Sequence, residues 1–182
     1  MGSSSFDPTN AVRFDLPQGR VHAGGDGERL LLVPTSAIDD IALSAPAEAV
    51  EALGRALGTA IGRRAKARLG DASSAPMEAF VTQLAGEVAL AGVGVLGVER
   101  WGRALVMLVE GSPLNGSLLA PLIGAAVEAA SGRGVACTLL SRDEHVARLF
   151  VGGDGGVGRV RDWIASGMPW ADALARLQGG GA

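Results

Sequence analysis

The stretch Gly92-Val-Gly94-Val-Leu-Gly97 has the G-x-G-x-x-G spacing of a dinucleotide-binding turn. In such a turn the glycines admit a pyrophosphate close to the backbone, and the N–H groups opening a helix face its charge. That chemistry needs a strand before the glycines and a helix after them. Here the order is reversed: the helical "MEAFVTQLAGEVAL" leads in and the β-type "VGVLGVERWGRALVML" leads out. Gly92 therefore reads as the residue that ends a helix. Gly94 and Gly97 read as points where a strand lies close beneath a helix or bends. "GGDGGVG" at 152–158 lacks the Lys-Ser/Thr of a P-loop and reads as a flexible joint.

The remaining chemistry-bearing residues are few. There are two histidines, His22 and His145, and one cysteine, Cys137. No H-x-x-x-H, C-x-x-C or G-x-S-x-G occurs. His145 opens a predicted strand and reads as solvated, while Cys137 lies in a predicted strand and reads as a small buried hydrophobe. Asp39-Asp40 are adjacent, so their side chains diverge on a helix and make a poor acid–base pair. Asp143-Glu144 fall in a turn. Arg63, Arg64, Lys66 and Arg68 gather near the end of a helix, where cations offset the helix dipole. The expectation is a protein without a catalytic set, a metal or a cofactor.

A different pattern stands out at Gly54, Gly58 and Gly62. At i, i+4 and i+8 they share one helix face, and each costs about 0.5–1 kcal/mol against alanine. Close packing must compensate, either with a helix of the same chain or with a second copy. The helix predicted over Leu118–Ala130 is apolar all round, so it must lie on a sheet and against a neighbour. Near the C-terminus, Val160, Trp163 and Ile164 recur at i, i+3, i+4, and Trp170, Leu174 and Leu177 at i, i+4, i+7. These narrow apolar stripes are expected to dock on a partner or a neighbouring copy, with the core folding without them.

The elements that position these residues follow from periodicity and punctuation. Residues 1–19, with Pro8 and Pro17, read as a flexible arm, and Arg20–Val33 as a short hairpin. A long helix is expected from a Ser44 cap to Gly70, and a second after Ser73-Ser74 and Pro76 running to Gly92. A hairpin over Val93–Glu99 and Arg103–Glu110 follows, then a helix capped by Ser117, then a hairpin over Val135–Leu140 and His145–Val151. The fold class is α+β: one domain with an antiparallel sheet of two hairpins packed with helices, in the order helix, helix, hairpin, helix, hairpin. The core domain is expected over residues 20–152, with a Gly-rich joint and amphipathic helical tail over 153–182.

Bulk properties exclude several classes. The 182 residues carry a net charge of −3, against a nucleic-acid partner, and aromatics are only 4%, with no tyrosine. One cysteine rules out a disulfide framework within the chain. There is no uninterrupted apolar run for a membrane span, and no basic-then-apolar leader, which points to the cytoplasm unless another export route acts.

The segments "EALGRALGTAIGRRA", "MEAFVTQLAGEVALAGVGVLGVERWGRALVMLVEGSP" and "LLAPLIGAAVEAASGRGVACTLLSRD" resemble the D-type accessory family of the bacterial cellulose synthase operon. More distantly, the same order resembles the TRAPP-like fold of 4-vinyl-reductase-type domains. The likeness covers about residues 45–152. The cellulose synthase resemblance implies a non-catalytic, homo-oligomeric scaffold that assists polysaccharide export or assembly beside a synthase. The TRAPP-like resemblance implies instead a sensory or carrier module holding a small apolar molecule. Some 4-vinyl-reductase-type domains place cysteine or histidine ligands where Ser117 and Leu118 stand here, which argues against a haem- or metal-type sensor. The excess of apolar and small helix faces makes another copy of the chain the expected partner, in a dimer or larger ring, with a polysaccharide synthase or other protein as a further one. The expected interface residues are Gly54, Gly58, Gly62, Trp163, Ile164, Trp170 and Leu174.

Overall fold

Two β-sheets organise the computed structural model of this protein, which describes residues 5–9, 11–24, 27–70 and 76–179. The first is small: β1 (Val12–Asp15), β2 (Arg20–Ala23) and β3 (Arg29–Leu30) pair antiparallel in that order, with a 3-10 turn at Leu16–Gln18 between the first two. Ordered structure thus begins inside the segment expected to be a flexible arm, because β1 completes a ladder that the β2–β3 hairpin leaves open. Then come α1 (Thr35–Ser44), α2 (Ala47–Leu69) and α3 (Met77–Leu90).

The second sheet is the centre of the molecule. It comprises β4 (Val95–Trp101), β5 (Ala104–Glu110), β6 (Ala136–Arg142) and β7 (Val146–Gly152), in the order β4-β5-β7-β6, all antiparallel. The two expected hairpins are present, and β5 against β7 joins them. α4 (Gly116–Ser131) connects the hairpins, and α5 (Asp154–Ala165) and α6 (Trp170–Gly179) close the chain. The architecture is α+β.

Helices cover both faces of this sheet. Met107, Val109, Ala147 and Leu149 point to one side, where α4 lies on the sheet and α2 and α3 pack around it. Leu118, Leu119, Leu122 and Ile123 of α4 are fully buried, each worth roughly 1.5–3 kcal/mol of transfer free energy. Ala104, Val106, Leu140 and Phe150 point to the other side, under α5 and α6. This explains why "ALVMLV" in β5 is apolar without alternation: both of its faces are covered.

Two helix starts differ from the expectation. Ser44 does not cap α2. Pro46 holds the cap position without a side-chain bond, and the Ser44 hydroxyl donates to the Asp40 carbonyl at the end of α1. Asn115, not Ser117, caps α4, accepting from the Leu118 N–H while the Ser117 hydroxyl donates to the same carboxamide oxygen. The expected cap at Ser73-Ser74 falls outside the described residues.

Candidate functional site

The G-x-G-x-x-G stretch is a helix stop leading into a strand. The Gly92 N–H donates to Ala89 O (3.0 Å) and the Val93 N–H to Val88 O (3.2 Å), with Gly92 at φ 72°. This is the paired-bond motif that ends a helix in the left-handed conformation. A Cβ on Gly94 would lie 2.6 Å from Glu110 O, so that glycine is needed where β4 begins beside the end of β5. The free N–H groups of a helix start, which a pyrophosphate requires, are not there.

The glycine face is a contact within the chain. A Cβ on Gly54 would lie 2.8 Å from Leu118 O, while one on Gly58 would strike the Leu122 carbonyl and one on Gly62 that of Ala126. α2 and α4 therefore meet backbone to backbone, and Arg55–Glu128 (3.4 Å) bridges them at the edge. All three glycines are buried under α4 and present no surface to a second copy.

The tail is likewise placed against its own chain. Leu174 is buried in the cluster with Val106 and Phe150, and Trp163, Ile164 and Trp170 pack against it. Trp170 meets Trp101 edge to face at 4.7 Å. The Gln178 amide donates to Trp101 O and accepts from the Arg103 N–H, which pins α6 to the β4–β5 turn. The glycine-rich stretch is not a joint: Gly155, Gly156 and Gly158 are helical in α5. Its Val157 and Val160 are fully buried on the sheet, and that burial overrides the poor helix propensity of the glycines.

Two sites come out of this arrangement. The larger is a groove of about 1050 Å³ along the edge strand β6. Its floor is Ala120, Pro121 and Gly124 of α4 with Cys137 and Leu139 of β6. A Cβ on Gly124 would lie 2.9 Å from that of Cys137, so α4 sits tightly on β6 there. Ala45 and Val50 form one wall, and the rim carries Arg55, Glu128, Asp154 and Arg161. The floor is small and mainly apolar and the rim is charged, which suits a small molecule with an apolar body and a polar end. Burial pushes the Cys137 thiol up to about 12, against a small opposing effect of Arg161. It is a neutral thiol at pH 7, without nucleophilic character.

The second site centres on Glu87 of α3, whose side chain is fully buried. Arg64 Nε (2.8 Å) and Arg68 Nε (2.6 Å) of α2 each donate to one carboxylate oxygen. Arg64 also reaches Glu28 (3.2 Å), and Arg68 lies over the Phe6 ring at 4.7 Å. Two of the four cations expected to offset a helix end thus hold an internal carboxylate and fasten the N-terminal segment to the body. The sequence carries a signal for this site: Glu87 is the lone charge in "FVTQLAGEVALAGV", and Arg64 and Arg68 are four apart.

The other chemistry-bearing residues stay apart. His22 and His145 lie outside the groove, on the small sheet and in the β6–β7 turn. In that turn Asp143 accepts from the N–H groups of His145 and Val146, which hold its carboxyl below the usual range. Among the described residues no three His, Cys, Asp or Glu side chains gather as a metal-binding group. No helix among them is long and apolar enough to cross a membrane.

No family model matches the chain, and no curated protein matches it. Among solved structures it is similar to the phenol-responsive sensory domain of the transcription activator PoxR, determined with phenol. The likeness has a TM-score of 0.60 at 14% identity and covers 93% of this chain and 92% of that one. What the two chains share is the fold.

Proposed function

We propose that this protein is a ligand-binding module of the sensory kind, and that it takes a small molecule with an apolar body into the groove beside β6. The observation that carries this reading is the likeness of fold, over nearly the whole chain, to a domain that responds to phenol. The groove supports it with an apolar floor, a charged rim and a volume of the size that small ligands occupy. The reading is of binding rather than catalysis. The thiol in the groove is neutral, and neither histidine reaches it. Self-association belongs to the same proposal. A scaffold role of the cellulose synthase accessory kind gains no support from the comparisons.

Thermal unfolding with phenol and a set of substituted phenols tests it. A ligand at a hundred times its dissociation constant is expected to stabilise the fold by about 2.7 kcal/mol. Ala120→Phe fills the groove floor and is expected to abolish that stabilisation while leaving the unliganded protein folded. If no phenol raises the melting temperature, or if Ala120→Phe responds as the wild type does, the proposal fails.

A further inference from the structure

A second cavity, of about 530 Å³, lies where the small sheet and its flanks meet the C-terminal half of α2, and it shares no residue with the groove. Ala11 and Ala23 give it an apolar wall, while Arg63, Arg64 and Arg68 with Glu28 and Glu87 supply its charge. The three arginines fall within about 7.5 Å of helix rise. The buried Glu87 carboxylate takes one Nε from Arg64 and one from Arg68. A guanidinium carries five N–H donors in a fixed fork, so a bond at Nε sets its plane and leaves the outer amino groups for another acceptor. Those of Arg64 meet Glu28 at 3.2 Å, and those of Arg68 reach the Asp7 carbonyl at 3.5 Å. Arg63 has no hydrogen-bond or ion-pair partner among the described residues. The Asp7 carboxylate is turned to the Thr9 N–H (2.8 Å). Three cations thus line the cavity against two carboxylates, and one of those, Glu28, is half exposed and held by a single contact.

We propose that this cavity binds the phosphate group of a small molecule, and that Glu28 occupies Arg64 until the phosphate displaces it. A phosphate dianion offers three acceptor oxygens and can meet three guanidiniums at once. A carboxylate has two oxygens, which one guanidinium fork already satisfies. The cavity falls in the range of about 300–1,000 Å³ in which small ligands are held, so the organic part of the molecule has room beside the apolar wall. Glu87 fixes two of the forks before the ligand arrives, which reduces the ordering that binding would otherwise require. This site is separate from the groove and does not depend on what the groove binds.

Calorimetric titration and thermal unfolding of the full chain with inorganic phosphate test this, at low ionic strength where screening is weak. Saturable binding is expected; phosphate that gives neither saturable heat nor a raised melting temperature overturns the proposal. Arg63→Ala removes an exposed side chain with no partner of its own, so circular dichroism is expected to stay unchanged while phosphate affinity falls at least tenfold. Arg133→Ala, exposed and outside the cavity, is expected to change the affinity less than twofold. If Arg63→Ala binds as the wild type does, or Arg133→Ala loses as much, phosphate is attracted by charge at large and the site is wrong. Glu28→Gln removes the competing carboxylate and is expected to raise the affinity at least threefold; an unchanged affinity overturns the displacement. Malonate carries the same charge on planar carboxylates and is expected to bind at least fivefold more weakly, whereas equal binding overturns the assignment to phosphate. Ala120→Phe, which fills the floor of the groove, is expected to leave phosphate binding intact, and its loss there would move the phosphate to the groove and overturn this site.

Discussion

At Gly58 two opposing effects can be ranked. Alanine there gains about 0.5–1 kcal/mol of helix propensity, yet its methyl would strike the Leu122 carbonyl, a backbone atom that cannot turn aside. Overpacking of this kind costs roughly 1–3 kcal/mol, so Gly58→Ala is expected to lower stability in urea denaturation without changing solution mass. A stabilised variant would mean that α2 and α4 are not in close contact. Cys137 makes a second test. Its native thiol is raised from 9.0 to about 12, so the folded state holds the proton more tightly than the unfolded one. That stabilising contribution is complete below pH 9 and falls away as pH rises toward 12. Iodoacetamide at pH 8 is expected to label Cys137 quickly in urea and much more slowly in the native protein, where the raised pKa leaves little thiolate to react; equally rapid native labelling would show that the thiol is not raised. The glycine stripe is legible in the sequence because an i, i+4, i+8 repeat has a single geometric meaning on a helix. The role of Glu87 is not, since a carboxylate among apolar residues states a need but not where the cations come from. Glu87→Ala is expected to destabilise by about 3 kcal/mol, because it leaves Arg64 and Arg68 facing each other without their shared partner. A loss below 1 kcal/mol would show the two arginines already hydrated.

Among elements, the β4–β5 and β6–β7 hairpins are readable to within about two residues, because apolar strands bounded by Gly, Asp and Arg-rich turns leave little choice. The start of α5 is not. "GGDGGVG" taken locally is a linker, and only the sheet face waiting beneath Val157 and Val160 makes it helical. The same face corrects the reading of the tail as an appendage. Deleting residues 153–182 strips the cover from Val106, Leu140 and Phe150, and the shortened chain is expected to aggregate or lose cooperative unfolding. A soluble, folded core over 5–152 would show that α5 and α6 are dispensable. The groove, too, lies beyond local reading. It depends on where α4 crosses β6, and that crossing is set by Gly116 against Leu139 and Gly124 against Cys137, pairs remote in sequence.

Over the whole molecule, β5 and β7 belong to both cores at once, each strand sending alternate residues to opposite faces. The two cores are therefore expected to unfold together. All three tryptophans, Trp101, Trp163 and Trp170, lie on the α5–α6 side, so their fluorescence reports that core alone while far-ultraviolet circular dichroism reports every helix. Coincident midpoints in urea are expected from the two probes; an earlier fluorescence transition would show that the α5–α6 layer melts separately. The strand order has a kinetic consequence as well. Each hairpin can close by itself through a short turn, Trp101↔Ala104 in one and Arg142↔Ala147 in the other. The β5–β7 seam cannot form until Glu110 meets Val146, with all of α4 looped between them. Closing that long loop has an entropic cost that nothing local offsets beforehand. The rate-limiting event in folding is therefore expected to be the meeting of two ready-made hairpins over α4, and substitutions at the seam are expected to slow refolding more than those within either hairpin.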